Sequence, residues 1–112
     1  METYSISNPS DPYVIQAPTL PIAQMAVVIL GGGMYGLCKD GDTVLGIPQT
    51  PEWLKATFGD HTKFIDDNID ALIAALDSVK FDGEKRTSLN NIGASAREFA
   101  KQLRARKKAR GL

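Results

Sequence analysis

The segment from Thr19 to Leu30 (TLPIAQMAVVIL) constrains this chain most, because it is apolar nearly all round. Thr19 stands where a helix cap belongs, Pro21 fits a first turn, and Ala, Met, Val, Ile and Leu fill the rest. A helix without a polar face has to be buried, so the segment predicts a central helix with other elements around it. Its longest apolar run, Ile22 to Leu30, is interrupted by Gln24 and falls far short of the roughly 20 residues that cross a bilayer. Gly31-Gly32-Gly33 ends it, since glycine readily adopts the backbone conformation of a C-terminal cap. In a chain of 112 residues this helix offers more apolar surface than one core requires, which predicts a homodimer.

At that length the chain reads as a single domain over residues 1–112, with a core that needs no metal or disulfide staple. Residues 1–10 read as an N-terminal extension and residues 104–112 as a basic C-terminal tail. Tyr4–Ser7 and Tyr13–Ala17 are extended candidates separated by the turn-forming run Asn8-Pro9-Ser10-Asp11-Pro12. Met34–Cys38 and Thr43–Ile47 form a hairpin pattern around Asp40-Gly41. Thr50-Pro51 opens a short helix that Gly59 closes. Ile65, Ile69, Leu72, Leu76 and Val79 then mark one face of a helix over about 62–80. Leu89, Ile92, Ala96, Phe99 and Leu103 mark another, from about Ser88 to Lys107. The expected architecture is α+β: a small antiparallel sheet, made of N-terminal strands plus the hairpin, packed on a buried helix with a C-terminal helical pair.

The residues that carry chemistry are sparse. His61 is the one histidine, placed in a Gly-Asp-His-Thr turn as a solvated position at a helix start. Cys38, the one cysteine, rules out an intramolecular disulfide and a Cys-rich zinc site, and in a strand it reads as a buried, inert thiol. Gly31 to Gly36 follows a helix and opens a strand, the reverse of a dinucleotide loop. Tyr35, flanked by glycines, is left free to present its ring to a planar ligand. At the start of the last helix, Arg86, Ser88, Asn90 and Asn91 combine a cation, a capping hydroxyl and free N–H groups, a setting suited to an anion. The expectation is therefore a chain without catalytic residues, cofactor or metal, whose ligand or partner meets Tyr35, Arg86, Ser88, Asn90 and Asn91.

Net charge is zero but uneven. From Arg97 to Leu112 seven basic residues face one acid, whereas residues 1–96 hold six basic and twelve acidic ones. Arg97, Lys101, Arg104 and Lys108 share one helical face and could supply salt-sensitive affinity for nucleic acid. Asp66, Asp70 and Asp77, with Asp67 beside them, form a stripe on the preceding helix. That stripe reads either as a solvated face or as the antiparallel counterpart that neutralises the basic one.

Taken in order, Ser-Asp-Pro-Tyr (Ser10–Tyr13), an apolar helix ending in Gly-Gly-x-Tyr-Gly (Gly32–Gly36), Leu76-Asp77-Ser78-Val79 and Ser-Leu-Asn-Asn-Ile-Gly (Ser88–Gly93) resemble small uncharacterised accessory proteins encoded by bacteriophages. The likeness runs from about residue 10 to 103, and the short link 82–87 departs from it. It brings no activity with it. It implies a viral accessory protein in the host bacterial cytoplasm, a setting that also fits the absence of a basic start and apolar run in residues 1–10. The expected function is non-enzymatic binding of a host protein or defence component as a counter-defence inhibitor, with a nucleotide-signal sponge as a close variant. The alternative is a nucleic-acid-binding regulator working through the basic C-terminal helix; no membrane partner is expected.

Overall fold

Alternation along the first strands sets the sheet. In β1 (Glu2–Ser7) Tyr4 and Ile6 are buried while Thr3 and Ser5 are exposed. In β2 (Tyr13–Ala17) Tyr13, Ile15 and Ala17 are buried and Gln16 is exposed. This period of two places Tyr4, Ile6, Tyr13, Ile15 and Ala17 on one face of the sheet. The computed structural model describes residues 1–7, 12–31, 36–39, 43–44, 50–83 and 92–112.

β1 pairs antiparallel with β2, Tyr4 opposite Ile15, and on its other side with β3 (Gly36–Lys39), Ile6 opposite Leu37. β3 pairs with β4 (Thr43–Val44) as the hairpin that Asp-Gly predicts, Cys38 opposite Val44. Residues 2–7 are thus an interior strand, which extends the Tyr4–Ser7 candidate back to Glu2. Tyr4 and Ile6 join the core, and Glu2 is tied to Lys39 at 2.8 Å.

α1 (Leu20–Leu30) is the buried central helix. Ile22, Ala23, Met25, Ala26, Val27 and Leu30 are buried, and Leu20, Val28 and Ile29 pack partly against the core. Thr19 occupies the cap position without a side-chain cap bond, and Gly31 closes the helix by donating its N–H to the Val27 carbonyl. The sheet, through β2 and β3, and two later helices pack against α1.

The predicted helix over 62–80 is in fact two, α3 (His61–Asp67) and α4 (Ile69–Ser78). Asn68 separates them, its side-chain amide donating to the Phe64 carbonyl at 2.9 Å. Asparagine competes with helical backbone bonding in this way, and the local break leaves the apolar spacing intact. Ile69, Leu72, Ile73, Ala75 and Leu76 are buried. Leu72 and Leu76 are wholly so, each contributing about 1.5–3 kcal/mol on general grounds.

After α4, Lys80–Phe81 forms β5 against β2, with Phe81 opposite Tyr13 and their rings edge-on at 5.6 Å. The sheet order is β4-β3-β1-β2-β5. β5 adds to the N-terminal strands and hairpin of which the sheet was expected to consist. Where it stops, the Ser78 hydroxyl takes over the edge of β2, accepting from the Gln16 N–H at 2.8 Å. The last helix, α5 (Ile92–Arg110), lies along α4, touches α1, and buries Ile92, Ala96, Ala100 and Leu103. The expected tail beyond residue 104 is therefore helix as far as Arg110.

Candidate functional site

Two surfaces stand out among the described residues. The first is a groove where α2 (Pro51–Phe58) turns into α3. Thr50 caps α2 by accepting the Trp53 N–H at 3.1 Å, and Pro51 needs no such partner in the first turn. Gly59 ends α2 at φ 68°, a left-handed conformation that a side chain would strain. Asp60 then caps α3, accepting from the Thr62 and Lys63 N–H groups at 3.1 and 3.3 Å. Phe58 packs between Trp53 and Phe64, with ring centres 5.7 and 4.8 Å away. Two caps and three aromatic rings thus fix the elbow. It encloses a groove of about 700 Å³ lined by Pro51, Leu54, Lys55, Gly59, Asp60 and His61. The floor is apolar, whereas Lys55, Asp60 and His61 are exposed on the rim. His61 is the first residue of α3, where sequence placed it.

The second surface is the seam between α5 and the α3–α4 pair. Asp66 accepts on both carboxylate oxygens: Arg106 Nε donates to Oδ1 at 2.7 Å, and Arg110 Nη2 lies 2.8 Å from Oδ2. Its side chain is only 10% exposed, so this carboxylate is not part of a solvated face. The hydrogen bond from Arg106 holds the Asp66 carboxyl below its ordinary value of 3.8, against the opposing effect of burial. The same bond raises the Arg106 guanidinium. Lys107 pairs with Asp70 at 2.6 Å, and Arg104 pairs with Asp77.

The neutralising partnership weighed from sequence is therefore present, though three of its four cations lie outside the stripe. Of that stripe, Arg104 is paired, and Arg97 donates to the Leu76 and Gly93 carbonyls at 3.2 and 3.3 Å. Lys101 and Lys108 are exposed and make no ion pair among the described residues. Arg106, Lys107 and Arg110 lie off the stripe, and helical spacing turns them toward the acidic face instead.

The other expected binding residues, Tyr35, Arg86, Ser88, Asn90 and Asn91, lie outside the described residues. Cys38 is half-buried in β3 rather than fully buried. Among the described residues no three His, Cys, Asp or Glu side chains come together as a metal site, and no helix is long and apolar enough to cross a membrane. Sequence reading missed the groove. Its one local signal was the cap-Pro helix ending in Gly59-Asp60, which marks a helix–helix elbow without giving its angle.

Compared with known proteins, the chain matches no family model, no curated protein and no solved structure.

Proposed function

We propose that this chain is a non-enzymatic binding protein, a phage accessory factor that engages a host protein or defence component in the bacterial cytoplasm. The groove at the α2–α3 elbow is the docking surface in this reading, and it is the observation that carries it. A concave apolar floor with a few polar rim groups is the usual form of a recognition site. The elbow is pre-shaped by its caps and aromatic packing, so docking there costs little ordering. Lys55, Asp60 and His61 supply polar rim contacts of both donor and acceptor type. The viral and cytoplasmic parts of the reading rest on the resemblance in residue order.

The test is capture from bacterial lysate by wild type, by Leu54→Asp in the floor, and by Lys55→Glu on the rim, with helical content checked by circular dichroism. A partner held by wild type and lost from both variants is expected. Equal recovery of the same partner by a folded Leu54→Asp chain would contradict the docking surface. The nucleotide-sponge variant instead predicts a rise in melting temperature with a cyclic nucleotide, because ligand bound only to the native state stabilises it. A flat response across a nucleotide panel argues against it.

A further inference from the structure

Between Arg104 and Arg110, α5 carries five cations in seven residues: Arg104, Arg106, Lys107, Lys108 and Arg110. No residue of α5 beyond Leu103 is buried. These last two turns are held to the body by ion pairs to Asp66, Asp70 and Asp77, whose partners are mostly half-exposed. The fit is also incomplete: Arg106 Nη2 is buried with no hydrogen-bond acceptor among the described residues. Beside the seam, a cavity of about 350 Å³ opens among Asp70, Arg104, Lys107 and Lys108, a mouth in which cations outnumber acids.

We infer that the end of α5 is a nucleic-acid-binding element held under cover by the aspartates of α3 and α4. Three carboxylates spaced along the α3–α4 pair occupy the cations that a row of phosphates would otherwise engage. A single small anion cannot replace several ion pairs at once. A duplex can, because it presents one charge per roughly 1.7 Å of axis and contacts many cations together. Arginine forks suit phosphate oxygens as well as carboxylates, so Arg104, Arg106 and Arg110 exchange one partner for the other without losing bond type. Lys101 and Lys108, exposed and without a carboxylate among the described residues, provide the first contact.

Fluorescence anisotropy with a labelled mixed-sequence DNA duplex at low salt tests this. Asp66→Asn/Asp70→Asn uncovers the element. Glu52→Gln/Asp82→Asn makes the same change in net charge away from it. The first pair should bind the duplex roughly tenfold or more tighter than wild type, steeply weakened by salt, and the second should barely differ from wild type. Adding Arg106→Ala and Arg110→Ala to the first pair should remove the gain. Equal gains from both pairs, a gain that survives loss of the arginines, or no duplex binding by any variant overturns the proposal, as does binding to anionic vesicles alone. Should the aspartate variant not fold, wild type decides by carboxyl-carbon NMR. The Asp66 signal should shift as duplex is added, and an unmoved signal at saturating duplex contradicts displacement.

Discussion

The two halves of α5 sit on the same neighbour by different physics. From Ile92 to Leu103 the helix buries Ile92, Ala96, Ala100 and Leu103 against the core. From Arg104 to Arg110 it buries no residue and is held by four cations on three aspartates. Apolar burial hardly responds to salt or acid, whereas exposed pairs such as Arg104–Asp77 and Lys107–Asp70 are screened within about 10 Å at 0.1 M salt, and the more covered Asp66 pairs less so. One continuous helix therefore contains an unconditional half and a conditional half. In the displacement inferred for the end of α5, only the second half has to change partners while the first keeps the fold intact.

The largest effect belongs to the apolar half. Leu103→Ala should lower the unfolding free energy by about 2–5 kcal/mol, read by urea denaturation, with little dependence on salt. A loss that vanishes at high salt would break the distinction. Asp66→Asn comes next. It removes the charge and one of the two acceptor oxygens that hold Arg106 and Arg110, so it should loosen residues 104–110 at low salt while lowering the melting temperature less than Leu103→Ala does.

Acid should act on the same group. The folded-state value of Asp66 lies below its ordinary 3.8, so its stabilisation is complete above that value. It is lost as pH falls through the lower folded value. Fluorescence from a dye on residue 112 should report release of the helix end only below about pH 4, and Asp66→Asn should abolish that transition. Release at neutral pH would place the control elsewhere. The smallest effect is that of Lys107→Ala, whose partner Asp70 is 75% exposed. About 0.2–1 kcal/mol at low salt is expected by urea denaturation, and none at high salt.

Much of this was legible in the sequence for local reasons. An all-apolar helix ended by glycine could only be central, and Asp-Gly between strand-like runs could only turn a hairpin. The helical spacing of Asp66, Asp70 and Asp77 against that of the cations made their meeting plausible. What was not legible depended on distant partners or on a single side chain. β5 is two residues long and exists because Tyr13 and Phe81 meet across the fold. That β1 is an interior strand depends on its pairing with the distant β3 as well as with β2, which no local signal gives. The break at Asn68 follows from one amide reaching one carbonyl, which apolar periodicity does not register. The α2–α3 groove depends on the angle at Gly59, and that angle is set by Phe58 lodging between Trp53 and Phe64.

The most direct test of the divided helix is amide hydrogen exchange along α5 at low and at high salt. Residues 104–110 should lose protection as salt rises while residues 96–103 keep theirs. Protection that falls together across both halves, or that holds unchanged in both, would contradict the account.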